Sequence, residues 1–98
     1  MTVMKLKPLH SGEVLREEFL RPLELSAGQL AKALHVPRRH IERLVAERID
    51  LSVDLALRLA KYFGNTPEFW LTLKGRYERE RAEDELGPTL ARIERRAS

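Results

Sequence analysis

The sequence predicts an all-α fold of five helices, and three features of the chain support this prediction. Apolar residues recur at the three- and four-residue spacing of amphipathic helices along most of the chain, whereas the alternation typical of strands is nearly absent. Serine and threonine stand before several apolar stretches, as they do at helix starts, and glycine or proline stands near the ends of others. With 98 residues, the chain has the length of one domain with a modest core.

The first predicted helix covers residues 12–20, and Ser11 is placed to cap its amino terminus. Its inner stripe is formed by three apolar residues, Val14, Leu15 and Phe19. A proline disfavours the helical conformation in the residue before it. Pro22 is therefore expected to exclude Arg21 from the helix and to end it.

The second predicted helix begins at Ser26, where the stretch SAGQ has the pattern of a capping box. In such a box the Ser26 hydroxyl accepts a bond from a free backbone amide, and the Gln29 side chain returns to the cap residue. Three residues of this helix face inward, namely Leu30, Ala31 and Leu34.

The third predicted helix begins near Pro37, whose missing N–H costs nothing in a first helical turn. It continues through three apolar residues, Ile41, Leu44 and Val45. Residues 47–51 are polar enough to form the loop that follows.

The fourth predicted helix is capped by Ser52, and Asp54 lies in its first turn, where the positive end of a helix favours an acid. Gly64 is suited to the left-handed conformation that ends a helix. The inner face is apolar and consists of Leu55, Ala56, Leu59, Ala60 and Phe63.

The fifth predicted helix is capped by Thr66 and has Pro67 at its first position. It carries an apolar and aromatic group, Phe69, Trp70, Leu73 and Tyr77. Beyond this group the chain is almost entirely charged over residues 78–85, and the pair Gly87-Pro88 is expected to break any helix. Leu90 and Ile93 then form a short amphipathic tail, which either binds a partner as a helix or frays.

These patterns divide the chain into three parts, a basic N-terminal arm of residues 1–10, a helical domain of residues 11–77 and a charged C-terminal extension of residues 78–98. The absence of cysteine excludes a disulfide framework and a cysteine zinc site. No stretch is apolar enough for a signal peptide or a membrane span, so we expect a cytoplasmic protein that does not associate with membranes.

The formal net charge is only +3, but the basic residues are concentrated near the third predicted helix. Residues 32–48 include two acids, Glu42 and Glu47, against five basic residues, which are Lys32, Arg38, Arg39, Arg43 and Arg48. A local basic face attracts phosphates whatever the total charge is, although a mixed, solvated helix face is the simpler interpretation from charge alone.

The second and third predicted helices are joined by a tight turn at residues 35–37, and the unit they form spans residues 27–46. Ala31 is small enough to let the two helices approach closely. Such an arrangement lets the second helix of the pair enter a DNA major groove. The stretch resembles the helix-turn-helix of the phage-repressor-like (XRE) family, with one departure at His35, where that family usually has glycine. We expect a positive φ at this residue, which histidine tolerates better than most.

The wider frame is similar to the HigA-type antitoxins over residues 10–77. The motifs that carry this resemblance are HSGEVLREEFL, the pair Pro22-Leu23, ALRLAKYFG and TPEFWL. The resemblance implies a repressor-like helical bundle and a homodimer that represses its own toxin–antitoxin operon at a palindromic operator. It also implies a protein partner, a HigB-like toxin of the RelE fold that cleaves messenger RNA.

The resemblance to repressors places four side chains at the usual base-contact positions, Arg38, Arg39, His40 and Arg43. Of these, Arg39 and Arg43 lie one helical turn apart on one face, and arginine can form two hydrogen bonds with guanine O6 and N7. Binding to phosphate or to solvent remains the alternative for each of them.

Phosphate contacts are expected from Ser26, Gln29 and Lys32, at or near the start of the second helix, where free amides can hold a phosphate, and from Arg48, just past the third helix. Gln29 has the alternative role of only completing the capping box. The dimer seam is expected between the fourth and fifth predicted helices, with Phe69, Trp70, Leu73 and Tyr77. For these aromatic residues a place in the core or a seam is favoured over base stacking.

No sequence feature supports catalysis or a cofactor, because the catalytic and phosphate-binding motifs are missing. The three histidines form no metal-ligand pattern with nearby carboxylates. Two other functions stay open. One is a stand-alone phage-type regulator, and the other is a protein-interaction module whose basic helix binds an acidic partner.

Overall fold

The computed structural model describes residues 7–97, and every regular element in that range is a helix. Helix α1 covers residues 11–23, and it is followed by α2 (Ala27–Leu34), α3 (Arg38–Val45), α4 (Val53–Phe63) and α5 (Pro67–Leu90). The prediction of five helices in an all-α fold is confirmed. Residues 1–6 of the predicted N-terminal arm lie outside the described residues.

A single apolar core is enclosed by α1 to α4 and closed by the first half of α5. Its largest fully buried side chains are Leu15, Leu30, Ile41, Leu44, Leu51, Leu59 and Trp70. The predicted inner faces of α2 and α4 are buried, while Phe19, Val45 and Phe63 pack against the core from its edge. This core holds α2 and α3 in a fixed relation to the rest of the domain.

Helix α1 begins one residue earlier than predicted, and its cap is His10 rather than Ser11. The His10 Nδ1 atom accepts a hydrogen bond from the backbone N–H of Gly12 at 2.9 Å. Ser11 is the first helical residue and is buried. The prediction was wrong because an imidazole nitrogen supplies the acceptor that we assigned to the serine hydroxyl.

Helix α1 also continues past the predicted stop. It consists of an α-helical turn (Ser11–Val14), a π-helical segment (Leu15–Leu20) and a final α-helical turn (Arg21–Leu23). Arg21 has helical angles (φ −63°, ψ −51°), and its N–H bonds to the Arg16 carbonyl oxygen. In a regular α-helix the Pro22 ring would clash with the carbonyl four residues before it, and we attribute its tolerance here to the wider π turn. The helix ends at Glu24, which is left-handed (φ 51°).

The other predicted helix ends are largely confirmed. The capping box of α2 is present, and the side chains of Ser52 and Thr66 cap α4 and α5 with bonds of 3.1 Å each. Gly64 ends α4 in the left-handed conformation (φ 72°). Pro37 differs from its predicted place, because it is the extended residue before α3 (ψ 140°) and not part of the first turn.

Helix α5 does not break at Gly87-Pro88, contrary to the prediction, but continues to Leu90. Pro88 removes one N–H donor and its ring crowds the carbonyl four residues before it, but only two helical residues follow it, so little of α5 depends on this turn. The exposed half is supported by ion pairs four residues apart, Lys74–Glu78, Arg76–Glu80, Arg79–Glu83 and Arg81–Glu85. Of the predicted tail, Leu90 is the last residue of α5 and Ile93 lies beyond the helix, in a stretch without regular structure. Within residues 7–97 no helix is both long and apolar enough to cross a membrane.

Candidate nucleic-acid interface

Helices α2 and α3 form a helix-turn-helix whose facing residues are buried, among them Leu30, Ala31, Leu34, Ile41 and Leu44. The turn between them passes through His35, which adopts the expected left-handed conformation (φ 59°, ψ 45°). The N–H of Val36 then bonds back to the Ala31 carbonyl oxygen at 3.0 Å. The steep change of direction is thus made at a residue that is not glycine.

The outer face of α3 carries the four predicted base-contact residues, and all four are exposed, namely Arg38, Arg39, His40 and Arg43. Arg39 and Arg43 form no ion pair with another described residue, whereas Arg38 Nε lies 3.3 Å from Glu42 Oε2. Two guanidinium groups on one exposed face are therefore available to a ligand. A protruding helix of this kind can present them to base edges.

Arg38 differs from the other three because its side chain bends toward the start of α2. A Cβ built on Gly28 would lie 3.7 Å from the Cδ and Nε atoms of Arg38. The Arg38 side chain therefore passes over the first turn of α2, where Gly28 leaves room for it. This position brings a positive charge to the amino end of α2.

The predicted phosphate contacts lie at the start of α2, in its last turn and in the turn after α3. Ser26 and Gln29 bond to each other's backbone at 2.9 Å and 3.1 Å, so the capping box engages both side chains. Lys32 is exposed on α2, and Arg48 is exposed in the turn after α3. All four residues are exposed, so their side chains are accessible to a ligand.

Arg58 of α4 contacts the turn between α2 and α3, which the sequence did not predict. Its Nη1 atom donates to the carbonyl oxygens of Leu34 at 2.7 Å and His35 at 3.2 Å. Its Nε atom lies 2.7 Å from Asp54 Oδ1, which fixes the guanidinium in place. The last carbonyls of α2 thus receive a charged donor from another helix.

Arg16 of α1 makes a similar contact at the end of α3. Its Nη1 atom donates to the carbonyl oxygen of Val45, and its Nη2 atom lies 3.5 Å from Glu47 Oε2. Glu47 is left-handed (φ 61°), and the N–H of Arg48 bonds back to Arg43 at 2.9 Å. No local sequence signal predicts the two arginine contacts, because the partners are 24 and 29 residues apart.

The end of α3 also touches the start of α1 through backbone atoms. A Cβ at Gly12 would lie 1.8 Å from the Leu44 carbonyl oxygen, so only glycine fits there. The His10 ring covers this junction, with the Tyr77 ring 4.8 Å away and Asp50 Oδ1 3.9 Å from its Nε2 atom. The base of α3 is thus held by α1 and α5 together.

The predicted dimer-seam residues separate into two groups. Trp70 has no exposed surface, packs on Phe19 and donates from Nε1 to Asn65 Oδ1 at 2.8 Å. It belongs to the core of the protomer, so its indole has no surface to offer a partner chain or a base, and its assignment to the seam is corrected. Phe69 is 39% exposed, and Leu73 and Tyr77 are half-buried.

A groove of about 440 Å³ lies at the corner between α4 and α5, lined by Leu57, Ala60, Lys61, Gly64, Asn65 and Pro67. Leu57 beside this groove is 53% exposed. Among the described residues, no group of three acidic, histidine or cysteine side chains is arranged to hold a metal ion.

Known proteins resemble this chain in sequence and in fold. A family model described as helix-turn-helix matches residues 15–71. Virulence-associated protein I of Dichelobacter nodosus is 43% identical over 81 residues, which cover 83% of this chain and 75% of that protein. Antitoxin HigA-1 of Vibrio cholerae is 38% identical over 74 residues, which cover 76% of this chain and 70% of that protein. The solved structure of the Pseudomonas aeruginosa antitoxin HigA with the higBA promoter superposes with a TM-score of 0.85 at 36% identity, covering 89% of this chain and 96% of that one.

Proposed function

Because the chain belongs to the helix-turn-helix family that includes the HigA-type antitoxins, we propose that it is a sequence-specific DNA-binding repressor and antitoxin. In this proposal α3 enters the major groove of an operator, and the protein represses the operon that encodes it and its toxin. A regulator acts where its operator is, so the proposed place of action is the cytoplasm.

The observation that carries the DNA-binding proposal is the pair of unpaired arginines on α3. Arg39 and Arg43 are exposed on one face and form no ion pair with any other residue between positions 7 and 97. They are therefore assigned to base edges, with Arg38 and His40 beside them. The phosphate contacts are assigned to Ser26, Gln29, Lys32 and Arg48, which are exposed on α2 and in the turns beside the two helices.

A homodimer is part of the proposal, because one helix-turn-helix reads only a few base pairs and two half-sites give useful specificity. The accessible part of the seam is assigned to Phe69, Leu73 and Tyr77 of α5. A palindromic operator matches the two-fold symmetry of such a dimer.

The proposed protein partner is a HigB-like toxin of the RelE fold that cleaves messenger RNA, which the chain neutralises by binding. Two observations support a docking surface on the exposed half of α5. Residues 78–85 carry five acidic and two basic side chains, and nearly all of them are exposed. Four of the acids form surface ion pairs along α5, which a basic partner can exchange for its own. A surface of this charge suits a basic protein better than the arginine-rich face of α3 does.

The test is fluorescence anisotropy with a labelled duplex from the upstream region of the gene, at two salt concentrations, beside an unrelated duplex. We expect tight, salt-dependent binding to the upstream duplex and weaker binding to the unrelated one. The Arg39→Ala/Arg43→Ala variant should lose at least about 30-fold in affinity, because each arginine–guanine pair is worth about 1–3 kcal/mol.

The matched control is Arg76→Ala/Arg79→Ala, which removes the same charge from the exposed half of α5. It should bind the upstream duplex nearly as the wild type does. If both double variants and the wild type bind every duplex equally weakly, the repressor proposal is wrong and the protein-interaction module replaces it. The gene next to this one distinguishes an antitoxin from a stand-alone regulator.

A further inference from the structure

Both helices of the helix-turn-helix end at a left-handed residue that is not glycine. These residues are His35 after α2 and Glu47 shortly after α3. In each case the following N–H bonds back five residues, Val36 to Ala31 and Arg48 to Arg43. Left-handed backbone costs a residue with a Cβ about 1–2 kcal/mol, a cost that contacts at these two helix ends can offset.

At each of these ends an arginine from a neighbouring helix supplies a charged donor. Arg58 of α4 donates to the carbonyl oxygens of Leu34 and His35. These are the carbonyl groups directly before and after the Cα atom of the left-handed His35. Its own position is fixed by Asp54, one turn earlier on α4. A guanidinium offers several donors in a rigid plane, which suits it to hold two carbonyl oxygens at once.

Arg16 of α1 has the equivalent place at the far end of α3. It donates to the Val45 carbonyl oxygen and pairs with the Glu47 carboxylate, so it holds the last helical residue and the left-handed residue together. The Arg16 side chain is 31% exposed and so is that of Glu47, which shields the pair partly from solvent and salt. The turn before α3 and the turn after it are thus both held from outside the motif.

We propose that Arg58 and Arg16 are positioning residues for DNA recognition, which fix the two ends of α3 where the fold uses His35 and Glu47 instead of glycine. This inference rests on the proposed function. Base contacts depend on the angle and depth of α3 in the groove, whereas phosphate contacts tolerate small shifts. Loss of either arginine should therefore weaken binding to the operator more than binding to unrelated DNA.

A direct phosphate contact by either arginine makes a different prediction. Such a contact would weaken binding equally on all sequences and would lower the salt dependence by about one phosphate. Two quantities distinguish these roles. A positioning role lowers the ratio of operator affinity to unrelated-DNA affinity, whereas a phosphate contact lowers the slope of log affinity against log salt concentration. Arg76→Met removes the same charge from α5 and serves as the control.

The first measurement is amide hydrogen exchange of the variants Arg58→Met and Arg16→Met without DNA. Exchange at Val36 should become faster in Arg58→Met, and exchange at Arg48 should become faster in Arg16→Met, because these amides close the two helix ends. Unchanged exchange at these amides would overturn the proposal, whatever the DNA affinity is.

The second measurement is the ratio of operator affinity to unrelated-DNA affinity. It is repeated with a glycine placed at the left-handed position, to test whether glycine restores the ratio. We expect each methionine variant to lower the operator affinity about tenfold while the affinity for unrelated DNA changes less than about twofold. Adding His35→Gly to Arg58→Met, or Glu47→Gly to Arg16→Met, should recover most of the loss, because glycine adopts the left-handed conformation without a clamp.

Two results of the second measurement would contradict the proposal. One is an equal loss on both duplexes with a lower salt slope, which is the result of a lost phosphate contact. The other is a loss in the affinity ratio that glycine does not recover. A wild-type protein that does not distinguish the duplexes would instead overturn the proposed function, and no behaviour of the variants can imitate that result.

Discussion

The backbone of Gly12 lies directly against the carbonyl oxygen of Leu44, so that a Cβ at this glycine would be 1.8 Å from the oxygen. Both partners are main-chain atoms of buried residues, and neither can move without moving a helix. The contact sets how closely the start of α1 approaches the end of the helix that we assign to DNA recognition.

The first prediction concerns this contact. Gly12→Ala should lower the free energy of unfolding by about 2 kcal/mol or more, because α1 and α3 must separate to admit the methyl group. Urea denaturation measures the loss. The control is Gly75→Ala in α5, where a Cβ meets nothing within 4 Å, and this change should stabilise the protein by about 0.5–1 kcal/mol. Equal stability of the two variants would contradict the contact.

The second prediction concerns the histidine cap of α1. His10→Ala should destabilise the protein by about 0.5–2 kcal/mol, because the Gly12 N–H loses its acceptor. His10→Asn should recover part of that loss, since asparagine is among the best cap residues, but not the packing on Tyr77. Thermal unfolding followed by circular dichroism compares the two variants. The cap assignment is wrong if they unfold at the same temperature.

The third prediction separates the core from the dimer seam on two neighbouring aromatic residues. Trp70→Phe should lower the stability of the protomer, because it leaves the side-chain oxygen Oδ1 of Asn65 without its donor and removes buried volume. Phe69→Ala should instead weaken dimerisation about tenfold, because the exposed part of its ring is assigned to the seam. Sedimentation equilibrium and urea denaturation distinguish the two effects. The same loss of dimer affinity in both variants would speak against this division.

The fourth prediction concerns the ion pairs along the exposed half of α5. Raising the salt concentration to 1 M should speed amide exchange over residues 78–90, because exposed pairs are worth only about 0.3–0.5 kcal/mol each and are screened by salt. Amides of α4 serve as the internal control and should exchange at nearly the same rate in both conditions. Salt-independent exchange in α5 would show that the pairs contribute nothing to its order.

Features that depend on neighbouring residues were predictable from the sequence. The capping box at Ser26 and Gln29, the caps at Ser52 and Thr66, and the stop at Gly64 are all formed as expected. Each of these depends on bonds across at most four residues, so the local pattern contains the information. The apolar stripes gave the core for the same reason, because helical periodicity is a local property.

Features that depend on packing were not predictable in the same way. Proline was expected to stop a helix at Pro22 and at Pro88, but the first lies beside a π segment and the second lies in a last turn. The contacts of Arg16 and Arg58 join residues more than twenty positions apart, so no window of sequence contains both partners. The arginines of α3 were identified as candidates, whereas the residues that hold α3 in place appear only in three dimensions.

The π segment of α1 affects how this helix tolerates changes in length. Leu15 and Leu20 are five positions apart, and both are buried, at 0% and 7% exposure. In a regular α-helix with 3.6 residues per turn they would point about 140° away from each other. The π segment accommodates one extra residue in the helix, so the apolar side chains on both sides of it still face the core. Deleting one residue from this segment would keep both ends of α1 in phase with the core, but it would also restore the ordinary helix in which the Pro22 ring clashes with the carbonyl four residues before it. The deletion is therefore expected to be tolerated only together with Pro22→Ala.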